Sequence, residues 1–389
     1  MSTEHVLSIR NISKSFGAIQ AVRDVSFDVH KGEVLGLIGP NGSGKSTLFN
    51  CILGQSTPNS GEVFVNGEPV AGKAAYQLNR LGVGRTFQQL SVFPEMTVID
   101  NIIMAGQEHH GTMLSRLFGK SDAGLTEEAE TLIEFFRLGH LRHEKAGALS
   151  YGQQKLLDAA MAFMAGPGLV LLDEPAGGVN LTMLEYLKER LQTYNREHDS
   201  TFVVIEHNME FVMSLCTRII VLAEGAIIAE GTPDEILLSP ANDYVEAFVK
   251  DVNRARALTV ENVMKPPARR ITADTIGEAL EQMKVIKGDY GYYVNDDGYQ
   301  GVVTQDTLEE ACCENDTQKL GEEFLEDLAG IAPSAILETV IPETLEAEYS
   351  LPVIDKDGNL KGELSRRSLA DVLGDREKGK DEEGANTVV

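Results

Sequence analysis

Nine residues limit the fold of this chain more than any others: GPNGSGKST, residues 39–47. They follow an apolar run, Val34 to Ile38, and lead into TLFNCILG, which stops near Gly54. The order reads strand, loop, helix, and the loop fits the pattern GxxxxGK[ST]. Successive backbone N–H groups in such a loop point at phosphate oxygens, and side chains there would block the approach. Gly39 and Gly44 bracket the loop, with Asn41, Gly42 and Ser43 between them. Lys45 brings a point charge to the β and γ phosphates. The Ser46 hydroxyl can ligate Mg²⁺, and Thr47 completes the opening of the helix.

A second stretch, LVLLDEP at residues 169–175, reads as a buried strand ending in two acids. Beside a phosphate loop, an Asp after such a strand holds the same Mg²⁺ as the loop hydroxyl, and Asp173 fits that position. Glu174 stands where it can orient or deprotonate an attacking water. TFVVIEHNME, from residue 201, is a third buried strand. His207 at its C-terminal end can reach a γ-phosphate across an α/β sheet. His109 and His110 lie in a polar stretch and read as solvated loop.

Taken together and in order, these motifs resemble those of the ATP-binding cassette (ABC) ATPases. GPNGSGKST resembles Walker A and LVLLDEP resembles Walker B. RTFQQ places Gln88 at the family's Q-loop position, which implies a third ligand for the metal and a part in hydrolysis. SKSFG places Phe16 where the family stacks an aromatic on adenine. AGGVN occupies the D-loop, with Asn180 where many members carry Asp. LSYGQ resembles the signature turn LSGGQ, with Tyr151 in place of a small residue. The resemblance implies that Ser150, Gly152 and Gln153, with a helix N-terminus at residues 153–164, cap a γ-phosphate held by a second subunit. A head-to-tail dimer of identical or related subunits, with two shared ATP sites, follows from it.

The resemblance covers residues 5–240. Within the family, VGRTFQQLSVFPEMTV, LSYGQQ, EPAGGVN, VIEHNMEFVM and a polar insertion around 106–124 look most like branched-chain amino-acid importer ATPases. It implies the cytoplasmic face of a membrane, integral-membrane permease subunits reached through residues 88–96, and an extracytoplasmic substrate-binding protein. The start, MSTEHVLSIRNISKSF, carries no export signal, and no apolar run approaches the roughly 18 residues of a membrane-spanning helix. Four cysteines, Cys51, Cys216, Cys312 and Cys313, have neither CxxC nor zinc spacing and read as reduced thiols. The net charge of −26 argues against a nucleic-acid partner, which needs a basic face.

Acid is unevenly spread. Residues 251–389 hold 30 Asp and Glu against 15 Lys and Arg, a net of −15 that leaves −11 for the first 250 residues. The text after 240 resembles the passage that leads into a tandem CBS (cystathionine-β-synthase type) module in glycine-betaine/proline importer ATPases. An internal repeat stands beside that resemblance. YGYYVNDDGYQGVVTQDTL and SLPVIDKDGNLKGELSRRSL both read strand, Asp-Gly turn, strand, helix start. Gly301 and Gly362 are 61 residues apart, as are Thr304 and Ser365. One such unit leaves an open apolar sheet face, so two should pack together. Thr307 and Ser368 stand where adenosine-binding modules place a ribose-binding Asp, and Asp306 is one residue out of register. The tail therefore reads as regulatory, answering to another ligand, to ionic strength or to a partner. Arg254, Arg256, Lys265, Arg269 and Arg270 gather at the junction and read as a solvated linker face rather than a membrane contact.

The expected architecture is an α/β phosphate-loop NTPase of ABC type with an antiparallel β subdomain and a helical subdomain, over residues 5–240. A linker (241–258), a small α+β tandem CBS domain (259–374) and a disordered tail (375–389) follow. The expected function is ATP hydrolysis, with ATP and Mg²⁺, energising uptake of branched-chain or related amino acids. An osmoprotectant importer ATPase is the alternative, and a soluble non-transport ABC ATPase the more distant one.

Overall fold

The computed structural model describes residues 5–86, 91–106, 122–164, 166–286 and 288–374. Gln88, His109, His110, most of the 106–124 insertion and the 375–389 tail lie outside the described residues. The chain divides into two compact units, Met1–Val252 and Asn253–Val389.

The strands of the first unit are β1 (His5–Phe16), β2 (Ile19–His30), β3 (Val34–Ile38), β4 (Ser60–Val65), β5 (Glu68–Pro69), β6 (Val83–Arg85), β7 (Leu169–Asp173), β8 (Thr201–Ile205), β9 (Arg218–Ala223) and β10 (Ala226–Gly231). Six of them form one mixed sheet in the order β10-β9-β3-β8-β7-β6. β3 pairs in parallel with β8 and β9, β7 in parallel with β6 and β8, and only β10 runs antiparallel. Every residue of β3 and β8 is buried. Continuous apolar runs are what a parallel strand covered on both faces requires. The parallel register brings the C-terminal ends of β3, β7 and β8 to one edge of the sheet, where open α/β sheets place ligands.

A second, antiparallel sheet has the order β2-β1-β4-β5. Its inner residues, among them Leu7, Ile9, Val25 and Val29, share a core with Leu35 and Leu37 of β3 and with Leu48 and Phe49 of α1 (Lys45–Ile52). Three helices, Val98–Gly106, Asp122–Phe135 and Tyr151–Phe163, pack on one another as a helical region. Phe163 ties that region to the main sheet: its ring meets Phe136 at 5.8 Å, Tyr194 at 4.2 Å and Phe202 of β8 at 5.8 Å. Such aromatic pairs add stability beyond the area they bury.

The second unit repeats a β-α-β-β-α order. Its first copy holds β11 (Arg270–Ile271), a helix Ile276–Ile286, β12 (Tyr290–Asn295), β13 (Gly298–Thr304) and a helix Gln305–Asn315. The second copy replaces the first strand by a single parallel bridge, Ile331 to Val353. A helix Leu337–Glu346, β14 (Leu351–Ile354), β15 (Leu360–Leu364) and a helix Arg366–Leu373 follow. The caps of the closing helices are twins: Thr304 accepts from the Thr307 N–H at 3.2 Å, and Ser365 from the Ser368 N–H at 3.0 Å. The two Asp-Gly turns meet, with the Tyr299 N–H donating to the Gly358 carbonyl at 2.9 Å. Gly298 has φ 100°, and a Cβ there would collide with that same carbonyl. The open sheet faces close over a core of Tyr292, Val294, Val302 and Leu360.

Two expectations gain detail. The stretch 241–258 carries two short helices, Asp243–Val249 ending the first unit and Arg254–Ala257 opening the second. Four of the five junction cations make contacts within the second unit on a face that stays exposed, as a solvated linker face would be. Arg254 donates to the Val372 carbonyl at 2.9 Å, Arg256 pairs with Glu338 at 3.0 Å, and Lys265 lies 3.7 Å from Asp371. Arg269 stacks on Tyr290, 4.6 Å from its centroid, and bonds its hydroxyl at 2.8 Å.

Candidate nucleotide site

The phosphate loop turns on three glycines with positive φ: Gly39 (147°), Gly42 (82°) and Gly44 (101°). A Cβ on Gly39 would collide with the Leu222 carbonyl, and one on Gly44 with the Ala21 carbonyl. The loop is thus clamped between β9 and β2, and only glycine fits at its two ends. Asn41 and Gly42 are exposed at its crest, while Ser43 is buried. Gly44 caps α1 without a side-chain bond. No side chain therefore competes for the first N–H groups of that helix, at Lys45, Ser46 and Thr47. Ser46 is exposed in the first turn, and Thr47 is half-buried.

Lys45 is buried, with its Nζ donating to the carbonyls of Gly39 at 2.7 Å and Pro40 at 2.9 Å. Burial lowers its pKa, and the nearby Glu174 charge opposes that shift. An ammonium so held is pre-positioned under the loop and poorly hydrated.

Asp173 is the last residue of β7, and its N–H donates to Thr86 Oγ1 at 3.1 Å. Burial raises the pKa of its carboxyl; the adjacent Glu174 raises it further, against Arg85 and Lys155. Glu174 has left-handed backbone, φ 50°, rare for a residue other than glycine. That turn bends its side chain toward β8, where the His207 Nε2 lies 3.1 Å from Glu174 Oε1. The Glu174 N–H donates to the Ile205 carbonyl at 2.9 Å, while Lys155 Nζ and the Gly177 N–H both donate to the Glu174 carbonyl, at 3.2 and 3.1 Å.

Lys45, Asp173 and Glu174 thus form one charged group at the end of the parallel sheet, with His207 beside Glu174. The signature residues form a different constellation. Ser150 Oγ accepts from the Gln153 N–H, and Gln153 Oε1 accepts from the Ser150 N–H at 2.9 Å, a reciprocal capping box. The helix therefore starts at Tyr151, two residues before the expected Gln153. Gly152 faces Met183, and the Tyr151 ring lies against Gly178. Among the described residues no hydrogen bond joins this turn to the phosphate loop. Phe16 sits at the exposed tip of the β1–β2 hairpin, with Lys14 Nζ 5.1 Å from its ring centroid.

Three residues about the charged group escaped the sequence reading: Thr86, Lys155 and Glu206. Lys155 gave a faint signal, as a cation directly before the apolar pair Leu156-Leu157 in GQQKLLDAA.

The family model described as ABC transporter matches residues 22–177. A branched-chain amino acid transport ATP-binding protein of Pseudomonas aeruginosa, BraF, is 35% identical over 63% of this chain and 97% of its own length. The chain belongs to the ATP-binding subunits of ABC transporters. It is an ATP-binding and ATP-hydrolysing transporter subunit, of a family whose subunits dimerise and work with membrane permeases. The choline transport ATP-binding protein OpuBA of Bacillus subtilis is 30% identical over 95% of this cassette chain and 97% of its own length. Among solved structures, an ATP-binding cassette of an ABC transporter in its ADP conformation is similar with TM-score 0.56 and 34% identity. It covers 63% of this chain and 99% of its own. Among the described residues no helix is long and apolar enough to cross a membrane.

Proposed function

We propose that the chain is the ATPase of an importer and works as a dimer on the cytoplasmic face of a membrane. Permease subunits and an extracytoplasmic binding protein are its expected partners. In this reading Gly39, Asn41, Gly42, Ser43, Gly44, Lys45, Ser46 and Thr47 cradle the phosphates, and Phe16 stacks on adenine. Ser150, Gly152 and Gln153 close on the γ-phosphate held by a second subunit. The observation that carries the reading is the 3.1 Å pair of Glu174 and His207 beside Lys45 and Asp173.

The described donors suit Mg²⁺, hard oxygens from Ser46 and Asp173; Gln88, outside the described residues, is the expected third ligand. Asp173 and Glu174 repel each other in a partly dry site, which a divalent cation would relieve. When bound, the ion neutralises charge on the phosphate oxygens. One carboxylate oxygen of Glu174 lies 3.1 Å from His207 Nε2, which leaves the other to orient a water. His207 fixes that carboxylate and can turn to a γ-phosphate. Lys45 exchanges its loop carbonyls for phosphate oxygens.

Glu174→Gln tests this directly. Nucleotide binding is retained, an ATP-bound dimer accumulates, and turnover falls about 10²–10⁴-fold. Near-normal phosphate release by the variant would remove Glu174 from the mechanism.

The first unit favours branched-chain or related amino acids as the solute. A second reading, osmoprotectant import, is supported by the relatives that match nearly the whole chain. These are OpuBA and the glycine betaine/carnitine/choline transport protein OpuCA of Bacillus subtilis, 28% identical over 98% of this chain. In that reading the second unit is a CBS-type pair that regulates the ATPase, supported by its two β-α-β-β-α copies. Competition of leucine and choline for uptake through the reconstituted transporter separates the two.

A further inference from the structure

Glu206 follows directly on β8 and is 3% exposed. A carboxylate so buried normally needs a cation or several donors. It has three donors, all backbone. Oε1 accepts from the Ala176 N–H at 2.5 Å, and Oε2 accepts from the N–H groups of His207 at 2.8 Å and Asn208 at 2.9 Å. One end of the carboxylate therefore holds the turn two residues after Glu174. The other end holds the backbone that carries His207. Beside it, the Glu174 N–H donates to the Ile205 carbonyl at 2.9 Å, so the two turns are joined twice.

We propose that Glu206 is the positioning residue that sets the distance between Glu174 and His207. The proposal rests on the catalytic reading of that pair. Only a group with two acceptor oxygens on one short stem spans the two turns. A glutamine keeps one oxygen and turns an N–H₂ toward an N–H at the other end, so the clamp opens on one side. A threonine keeps an acceptor near His207 and cannot reach Ala176. Both carboxylate oxygens of Glu206 are engaged by backbone N–H groups in a buried position, so it acts through the two turns. Its removal changes the aim of Glu174 and His207 and leaves the phosphate loop intact. A misplacement of about 1 Å in such a pair is worth as much as a hundredfold in rate.

The test is a double-mutant cycle on the full-length chain: wild type, Glu206→Gln, His207→Ala and the double variant. The readouts are steady-state ATP turnover with Mg²⁺, dissociation constants for a fluorescent ATP analogue, and melting temperature. Glu206→Gln should lower kcat about tenfold or more while leaving the dissociation constant within about threefold. In the His207→Ala background it should lower kcat by no more than about twofold further, because the two residues act as one unit. Glu206→Thr should behave like Glu206→Gln. The proposal is overturned if Glu206→Gln turns over normally beside a crippled His207→Ala, or if the two losses simply multiply. It is overturned equally if binding and turnover fall together, or if neither Glu206 variant folds. His207→Ala with wild-type turnover would overturn the reading of the site itself.

Discussion

Asp173 carries a structural cost that comes with its place in the site. Its folded pKa lies above the ordinary carboxylate value of 3.8, first through burial and then through Glu174. The protonated form is the one the fold favours. The ionised carboxylate therefore destabilises the nucleotide-free protein once pH exceeds the folded pKa, and the penalty fades as pH falls toward 3.8. Asp173→Asn should melt higher than wild type at neutral pH. The gap should shrink as pH falls through the raised pKa, while turnover is lost at every pH. Thermal scans of both proteins from neutral to acid pH check this, and a gap that widened on acidification would contradict it. The loop glycines make a second comparison. Gly42 has open space about it, so Gly42→Ala meets only left-handed strain, about 1–2 kcal/mol. Gly44→Ala also meets the Ala21 carbonyl and adds overpacking of about 1–3 kcal/mol. Urea unfolding of the two variants should separate them in that order. These glycines were legible from the motif alone, since its chemistry needs bare backbone. Thr86, Lys155 and Glu206 were not, because each acts on the backbone of a residue 19 or more positions away or across two turns.

Elements show where reading from sequence succeeds and stops. β3, β7 and β8 announce themselves as apolar runs, β7 and β8 leading into acids and β3 into the glycine loop, and their parallel order is what gathers those ends. The signature helix was placed two residues late because Ser150 and Gln153 look like ligand-binding residues first and like a capping box second. They are both. Lys155 extends the function of that helix. Its Nζ reaches the Glu174 carbonyl at 3.2 Å, so the helix that follows the signature turn also holds the backbone of its own chain's glutamate. Movement of the helix on closing against a second subunit would be felt at Glu174. Lys155→Met should lower turnover about tenfold with ATP affinity little changed, since the lost contact lies on the backbone of the reacting glutamate. Lys155→Arg, which keeps a donor, should recover most of it. Equal turnover in both variants and wild type would show that the helix does not hold Glu174 in the reacting state.

At the scale of the molecule, the acidic second unit and the first unit each close their own core. The first unit ends with Val245 and Val249 buried in its last helix, so a cut placed before Val249 would open that core. A cut after Val252 keeps it whole. Residues 1–252 should fold alone, unfold cooperatively and hydrolyse ATP within about threefold of the full chain. The full chain should show two thermal transitions, of which the fragment retains one. The duplication in the second unit was visible as two Asp-Gly turns 60 residues apart, Gly298 and Gly358. What sequence could not reveal is that these turns interlock, since the Tyr299–Gly358 bond depends on how one copy faces the other. The interlocked turns and the shared core join the two copies, so the second unit should unfold as one cooperative body. If the second unit regulates transport, the 1–252 fragment assembled with its permease should move solute with no response to the conditions that gate the full chain. An unchanged response in the fragment would place the sensor in the first unit.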